Sequence, residues 1–391
     1  PMFSRPVAIT KPTISSIPGL KNAYGRILRS GIITNAKYVK EFEQKISKYL
    51  GVRSVVAVSS CTSGMMLVFK ALGLKGDIIL PSFTFHATAH AAVWAGLKPV
   101  FVDCDAQTFN IDPEEAKKAI TSQTAAILAV HIFGNPCPIK PLEQIAKKHG
   151  LPLIFDAAHG FGATCGGHRL GRFGTAEVFS LSPTKLLTAG EGGVVATNDD
   201  KLAEKIRIGR NYGDPGTYEC EFSGFNARMS EFHALLGIST LGDLEKNVAK
   251  RRNLVMLYKS LLADFPGISF QKIEPGNQSS FKDFSILIAK EKFGLDRDML
   301  GECLKQENIM VKKYFYPPVH TQMAFTKYRH KKYLHSLTRT NMTAENILSL
   351  PLYSHMSEVC VRRICSAIKK IYHNKIAIRD ICAQSGKEKK L

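Results

Sequence analysis

The 391-residue chain lacks the features that mark membrane, secreted and repeat proteins. No apolar run approaches the roughly 20 residues needed to cross a bilayer. The start, "PMFSRPVAITKP", has no apolar stretch of the secretory kind, so we expect a cytoplasmic protein. No internal repeat or low-complexity segment is visible. With 45% hydrophobic and 22% charged residues, the composition indicates a globular protein of about two domains.

The cysteines also lack a pattern. Nine of them are scattered through the chain, and none forms a C-x-x-C pair. This spacing argues against both a disulfide framework and a structural zinc site. We therefore expect reduced thiols and no bound metal.

Acidic residues are scarce: 33 Asp and Glu face 53 Lys and Arg, which gives a formal net charge of +20. A positive field of that size attracts anions. The basic residues are spread through the chain, and the modest concentration in "VRRICSAIKKIYHNK" lacks the interleaved aromatic residues of a nucleic-acid stacking platform. A phosphorylated substrate is therefore favoured over a specific nucleic-acid partner.

From residue 52 to residue 198, short β-branched runs alternate with amphipathic stretches, as in "SVVAVSS" followed by "SGMMLVFKALGL". This alternation predicts an α/β fold with a largely parallel sheet wrapped by helices. Beyond Gly237 the sequence pattern changes to that of a long charged helix and shorter strands, which predicts a smaller α+β domain. We divide the chain into an N-terminal arm (1–24), a large domain (25–240) and a small domain (241–391).

Ligands of parallel α/β sheets bind beyond the carboxyl ends of the strands. After "SVVAVSS", the residues Cys61, Thr62 and Ser63 open a helix. Hydroxyl groups and free backbone N–H groups at a helix N-terminus form a phosphate cradle, although an ordinary Ser or Thr helix cap has the same appearance.

Two further strand ends carry chemically distinctive residues, Phe85 and Asp156. Phe85 follows "DIILPS", where it either stacks on a flat ring or fills the core. Asp156 follows "LPLIF", where it either caps a helix or is a buried carboxylate that faces a cation or strong donors.

Lys185 stands between the run "AEVFSLS" and a turn rich in glycine, beside Ser180. It is either a surface lysine or a desolvated amine able to form a Schiff base. The order of hydroxyl cradle, aromatic ring, acid and lysine is that of a pyridoxal 5′-phosphate (PLP) site, because PLP needs a partner for its phosphate, ring, ring nitrogen and aldehyde.

The sequence resembles the nucleotide-sugar aminotransferases of the DegT/StrS type. The resemblance runs through nearly the whole chain, with "PSFTFHATAHAAVWAGLKPVFVDCDAQTFNIDPE", "DAAHGFGATCGGHRLGRFGTAEVFSLSPTKLLTAGEGGVVATND", "GFNARMSEFHALLG" and "YFYPPVH" as its most specific parts. It implies PLP fold type I, which has three layers, a mostly parallel sheet in a large domain and a smaller α+β C-terminal domain.

The resemblance also implies roles for individual residues. Lys185 would form the Schiff base and Asp156 would pair with the pyridine nitrogen. Phe85 would stack on the ring, and the phosphate would be held by Thr62, Ser63 and Ser180. Asn226 would reach the phosphate in the neighbouring subunit's site, which makes the active unit a homodimer.

Two positions depart from the commonest family pattern. His159 replaces the glutamine that usually follows "DAA" near the 3′-oxygen of the cofactor. It could donate to that oxygen and tune the cofactor near neutral pH, or it could be a structural histidine. Cys61 replaces a small residue in the phosphate cradle, where the backbone is what matters.

The implied reaction transfers an amino group from an amino acid, L-glutamate, to a keto group of a nucleotide-linked sugar. It releases 2-oxoglutarate and passes through the pyridoxamine 5′-phosphate form of the cofactor. The expected substrate contacts are Arg228, Lys312, Tyr316 and His320, although Lys312 and its neighbour Lys313 could equally be surface lysines. The sequence distinguishes neither the nucleotide nor the sugar, and a keto-cyclitol substrate stays open.

Two rival hypotheses come from the same fold. A sugar dehydratase would remove a hydroxyl group instead of transferring nitrogen, but such relatives carry histidine at the position of Lys185. A non-catalytic relative would bind an anionic partner through the basic surface, yet the residues expected to face the cofactor are all present here. Lys185 therefore favours transamination.

Overall fold

The computed structural model describes residues 1–14, 19–328 and 337–388, with side chains described as far as residue 381. The first part of the chain comprises α1 (Leu20–Ser30), α2 (Lys37–Leu50), β1 (Ser54–Val58), α3 (Cys61–Ala71), β2 (Asp77–Pro81), α4 (His86–Trp94), β3 (Lys98–Val102), α5 (Pro113–Lys118), β4 (Thr124–Val130), α6 (Ile139–His149), β5 (Leu153–Asp156), β6 (Thr164–Cys165), β7 (His168–Arg169), β8 (Ala176–Ser180), β9 (Gly193–Thr197), α7 (Asp200–Gly209) and α8 (Glu231–Gly242).

The second part comprises α9 (Leu244–Leu262), β10 (Ile268–Phe270), β11 (Asn277–Gln278), β12 (Phe284–Ile288), α10 (Lys290–Phe293), α11 (Arg297–Gln306), α12 (Thr338–Asn346), β13 (Ile347–Leu350), α13 (Glu358–His373) and α14 (Lys375–Glu388). Among the residues described, no helix is long and apolar enough to span a membrane.

A seven-stranded sheet of order β1-β9-β8-β5-β4-β2-β3 forms the centre of the molecule. β9 runs antiparallel to both of its neighbours, and the other pairs are parallel. Strands β1, β5, β8 and β9 are buried at every residue, because helices cover both faces of the sheet. The predicted mostly parallel sheet is confirmed.

The helices form the two outer layers. On one face, α2 packs its apolar stripe of Val39, Phe42 and Ile46 against the sheet, and α8 contributes Ala234. On the other face α3, α4 and α7 pack, with Met65, Ala89 and Leu202 among their buried residues. Asp156 and Ser180, the last residues of β5 and β8, therefore lie between the two layers of helices.

A second core lies around the antiparallel sheet β10-β12-β13. Helices α9, α11 and α13 cover this sheet, so this part has the predicted α+β composition. The predicted boundary at residue 240 falls in the last turn of α8. The next helix, α9, joins both cores: Leu244 packs in the large core and Tyr258 in the second. Phe3 and Val7 of the predicted N-terminal arm also pack in the second core.

Candidate active site

One cavity at the carboxyl ends of the strands collects six of the predicted residues. It encloses about 770 Å³ of empty space, part of it open to solvent. Its lining includes Thr62, Phe85, Asp156, His159, Ser180 and Lys185. These residues come from α3, the position just before α4, β5, β8 and the turns that follow the two strands. The sheet thus brings together side chains that are up to 123 positions apart, from Thr62 to Lys185.

Asp156 is a buried carboxylate whose oxygens are both held by donors. Thr88 Oγ1 donates to Oδ2 at 2.7 Å, and the backbone N–H of Ala158 donates to Oδ1 at 3.0 Å. The Cys61 thiol approaches Oδ1 at 3.8 Å. No helix begins at Asp156, so the alternative of a helix cap does not apply. In the described part of the chain Asp156 has no cationic partner within 4.0 Å, which leaves its charge available to a ligand in the cavity.

Lys185 lies in the turn after β8, where its side chain is partly exposed to the cavity. Desolvation by the surrounding protein, helped by the positive charge of Lys282, lowers the pKa of Lys185 to about 8. Asp283 and Asp156 act in the opposite direction. The alternative of a surface lysine therefore does not apply, because this amine is withdrawn from bulk water and has a raised neutral fraction near pH 7.

The N-terminus of α3 faces the same cavity. Ser60 caps the helix: its hydroxyl accepts from the Ser63 N–H at 3.0 Å, and the Ser63 hydroxyl accepts from the Ser60 N–H at 3.0 Å. The Ser63 hydroxyl is therefore engaged in the cap and does not line the cavity. Of the predicted hydroxyl groups, the structure brings those of Thr62 and Ser180 to the cavity, while Ser63 supports the cradle from behind.

Close backbone packing shapes this cradle. A Cβ atom on Gly193, the first residue of β9, would lie 2.6 Å from the backbone nitrogen of Cys61. Any side chain at this position would displace the first turn of α3. The glycine-rich turn after Lys185 thus lets β9 pass directly beneath the helix N-terminus.

Aromatic side chains form the walls of the cavity. Phe85 is 48% exposed and lines the cavity, so it does not fill the core. Phe315 joins it from the C-terminal part of the chain and stacks on the His159 ring, with centroids 6.4 Å apart and planes 17° apart. A flat ligand ring would find aromatic surfaces in this site.

His159 is oriented by the backbone. Its Nδ1 accepts from the Phe133 N–H at 3.2 Å, which assigns the proton of the neutral ring to Nε2. Desolvation, with the charges of Lys185 and Lys282, holds the pKa of His159 well below its ordinary value. His159 is therefore neutral near pH 7, and the expectation that it titrates near neutral pH does not agree with these surroundings.

A second groove opens beside the cavity and shares Thr84, Phe85 and Phe315 with it. Lys312 and Tyr316, two of the residues expected to contact the substrate, line this groove together with His86. Lys313 is paired with Asp298 at 2.7 Å. Lys312 has no ion pair within 4.0 Å among the residues described, so its charge is available at the groove.

Besides Ser63, three predicted residues lie outside both linings. His320 is buried, and its Nδ1 lies 2.6 Å from the Ser82 hydroxyl. Arg228 donates from Nη1 to the Asn211 side chain at 2.9 Å. Asn226 is exposed and bridges to Asn211 through its backbone. Within one chain, these residues are not brought to the cavity.

Sequence reasoning did not identify Thr88, Phe315 or Lys282. Thr88 lies three residues after Phe85 on the first turn of α4, so helical spacing could have suggested it. Phe315 and Lys282 come from the C-terminal part of the chain, and no local pattern connects them to Lys185.

The donor set of the cavity fits PLP. A buried carboxylate without a cationic partner in the described chain suits a protonated ring nitrogen, and a desolvated amine suits an aldehyde. A helix N-terminus with two hydroxyl groups suits a phosphate, and exposed aromatic faces suit the ring.

Comparison with known proteins agrees with this fit. The sequence model of the DegT/DnrJ/EryC1/StrS aminotransferase family matches residues 19–369. The dTDP-4-amino-4,6-dideoxy-D-glucose transaminase of Shigella dysenteriae is 34% identical over 372 residues, covering 94% of this chain and 100% of the relative. The transaminase of the same name from Escherichia coli is 32% identical over 368 residues, covering 93% and 98%.

Among solved structures, that of DesI in the presence of its TDP-sugar product superposes with a TM-score of 0.91. It is 34% identical and covers 98% of this chain and 96% of its own. The predicted PLP fold type I, the aminotransferase class and the PLP cofactor are thereby confirmed. The chain belongs to the DegT/DnrJ/EryC1/StrS aminotransferase family.

Proposed function

We propose that the protein is a PLP-dependent aminotransferase that moves an amino group from L-glutamate to a keto group of a nucleotide-linked deoxy sugar. The observation that carries this proposal is the presence in one cavity of a desolvated amine, Lys185, and a buried carboxylate without a described cationic partner, Asp156. The names of the two transaminases and the sugar product of DesI support the nucleotide-sugar substrate class.

Each part of the cofactor has a proposed partner in the cavity. Asp156 would hold the ring nitrogen, and Phe85 would cover a face of the ring. The α3 N-terminus, Thr62 and Ser180 would hold the phosphate. His159, with its proton on Nε2, is a donor suited to the ring oxygen.

Bound PLP supplies an electron sink for the electrons of the bond that is broken at the amino donor. Lys185 would supply the amine that anchors the cofactor and the base that moves a proton. Because its pKa is about 8, about a tenth of Lys185 is neutral at pH 7 and can accept a proton at Nζ. The same group returns the proton when the keto sugar takes the place of the amino acid.

The negative charge of Asp156 would stabilise a positive charge at the ring nitrogen of the cofactor. Its two oxygens are fixed by Thr88 and the Ala158 N–H, so it holds one orientation through both half-reactions. Phe315 and Phe85 give the cavity apolar walls, and charge interactions are stronger where less water is present.

The outer groove is the proposed place for the nucleotide. Lys312 supplies a positive charge for the diphosphate, and Tyr316 and His86 supply flat rings nearby. The overall charge of +20 attracts such an anion towards the protein.

We propose in addition that the active unit is a cytoplasmic homodimer. The exposed position of Asn226, outside its own chain's cavity, suits a residue that serves the neighbouring subunit's phosphate. Arg228 lies two residues further along, on a half-buried side chain, and is proposed as a second anion contact from that segment. His320 is proposed to act on the substrate side only through Ser82, since it is buried.

The transfer of nitrogen is tested directly with labelled donor. The purified protein is incubated with PLP, ¹⁵N-labelled L-glutamate and a panel of nucleotide-linked 4-keto and 3-keto deoxy sugars, and the products are analysed by mass spectrometry. We expect a sugar nucleotide that carries one ¹⁵N atom. A product that has lost a hydroxyl group and has gained no ¹⁵N would instead identify a dehydratase.

A further inference from the structure

A second buried lysine lies close to Lys185. Lys282 lies two residues before β12, and its Nζ donates to Asp283 Oδ1 at 2.8 Å. Both side chains are 6% exposed. Burial of an ion pair is unfavourable unless the interaction is well satisfied, and this pair joins adjacent residues, so it ties no two elements of the fold together. The Lys282 ammonium also lies over the Tyr314 ring, 5.6 Å from its centroid, and this is a contact with another segment of the chain.

The position of Lys282 relative to the cavity gives a further reason for its burial. Lys282, Lys185, His159 and Ser180 border a small space that shares part of its lining with the main cavity. Lys282 is not part of the lining of the main cavity. In the described structure Lys282 thus lies next to Lys185 without lining the main cavity.

Backbone contacts hold Lys282 in this place. Its N–H donates to the Phe133 carbonyl at 2.9 Å, and Arg251 Nη1 donates to its carbonyl at 2.8 Å. The neighbouring Ser280 hydroxyl donates to the His159 carbonyl at 2.7 Å. The charge is therefore fixed with respect to the large domain, although it belongs to the C-terminal part of the chain.

The charges around Lys185 come from several elements. Asp156 at the end of β5, Cys61 in α3 and Asp283 before β12 favour its ammonium form, while Lys282 disfavours it. After desolvation, Lys282 is the largest of these influences, and it lowers the pKa of Lys185. The same charge lowers the pKa of His159, the other titratable group beside the turn.

We propose that Lys282 is a positioning residue for the transfer reaction: its positive charge, held beside Lys185, keeps Lys185 Nζ available as a proton acceptor. The proposal rests on the proposed function, because it assigns Lys282 a role only through Lys185. Lys282 itself exchanges no proton and contacts no substrate.

The proton affinity of Lys185 is measurable without turnover. The cofactor-free protein is labelled with a trace of acetic anhydride between pH 6 and pH 11, and the extent of acetylation at each lysine is determined by peptide mass mapping. In the unsubstituted protein we expect the half-point for Lys185 near pH 8. In Lys282→Met the half-point is expected to rise by about one pH unit or more.

Three further variants make the result specific. Lys282→Arg keeps the charge and is expected to keep the half-point. Lys272→Met removes an exposed lysine paired with Glu274 and is expected to leave it unchanged. The double variant Lys282→Met/Asp283→Asn removes the whole ion pair, so it can be measured if the single variant fails to fold. In this double variant we expect a smaller rise of the Lys185 half-point.

A half-point that stays within about 0.3 unit of the original in both Lys282→Met and the double variant overturns the proposal. A purely structural role would lower the melting temperature of these variants without moving the half-point. The labelling needs no substrate, so its result does not depend on whether the sugar nucleotide is the correct substrate. The proposed function and the proposed role of Lys282 are therefore tested separately.

Discussion

Thr88 Oγ1 donates a hydrogen bond of 2.7 Å to Asp156 Oδ2, and its own oxygen lies 2.9 Å from Thr84 Oγ1. The backbone N–H of Ala158 binds the other carboxylate oxygen. Hydrogen bonds to an ionised acceptor are stronger than neutral ones, so these donors hold the carboxylate charged and in one orientation. The first turn of α4 thereby determines how Asp156 faces the cavity.

This relationship predicts the behaviour of two substitutions. Asp156→Asn should keep PLP bound but lower kcat by at least about a hundredfold, because the charge at the ring nitrogen is lost. Thr88→Val, which keeps the shape but removes the donor, should lower kcat by about tenfold. Steady-state kinetics check both values, and Thr88→Ser serves as the control that retains the donor. Near-normal turnover of Asp156→Asn would contradict the role of this carboxylate.

Desolvation of Lys185 should destabilise the cofactor-free protein. The shift of its pKa from 10.5 to about 8 corresponds to at most about 3 kcal/mol, and partial exposure reduces this to roughly 1–3 kcal/mol. At pH 7 the cofactor-free Lys185→Met variant should therefore unfold at a higher urea concentration than the unsubstituted protein.

The pH dependence has a definite sign. Between pH 8 and pH 10.5 the unfolded chain binds more protons at Lys185 than the folded chain, so the folded protein gains relative stability as the pH rises. The gain in the free energy of unfolding from Lys185→Met is thus complete below pH 8 and absent above pH 10.5. Urea titrations at pH 7 and pH 10.5, with Lys272→Met as control, measure it, and a constant difference between the two pH values would speak against desolvation.

Gly193 is predicted to control phosphate binding through the backbone. Gly193→Ala places a methyl group 2.6 Å from the Cys61 backbone nitrogen, so the first turn of α3 must move. We expect the Kd for PLP to rise by about tenfold or more. Gly242→Ala, where no atom lies within 4 Å of the added methyl group, is the matched control.

A fluorescence titration distinguishes the cause. If the phosphate cradle is what moves, binding of pyridoxal, which has no phosphate, should change less than binding of PLP. Equal losses for both ligands would show that the substitution disturbs the site as a whole.

Lys312 is predicted to bind the anionic part of the sugar nucleotide. Lys312→Met should raise KM for the keto sugar nucleotide by roughly three- to tenfold and leave the reaction with L-glutamate unchanged. Lys313→Met should have the smaller effect, because that ammonium group is paired with Asp298. KM in the unsubstituted protein should also rise with ionic strength. An unchanged KM in Lys312→Met would remove this residue from the substrate site.

The sequence predicted the parts of the site that follow strand ends. Asp156, Ser180 and Lys185 each follow an apolar run, and the geometry of parallel sheets brings such residues to one edge. Two details depended on side-chain direction, which strand order does not specify. Ser63 turns into the helix cap, and His320 turns towards Ser82.

The rest depended on contacts between distant parts of the chain. Phe315 and Lys282 reach the site because the C-terminal sheet packs beside the large domain, and neither lies in a pattern with Lys185. The neutral state of His159 could not be predicted either, since it results from burial beside Lys185 and Lys282. Pairwise packing of this kind is a property of the folded chain.

The most direct test of the account is the absorbance spectrum of the PLP-loaded protein before and after addition of L-glutamate, recorded in parallel for Lys185→Ala. The account predicts a visible band that shifts to the shorter-wavelength pyridoxamine form with L-glutamate, at a rate that falls by at least about a thousandfold in Lys185→Ala. A band that no amino donor changes, or a shift equally fast without Lys185, would contradict the assignment of Lys185 as the residue that moves the proton.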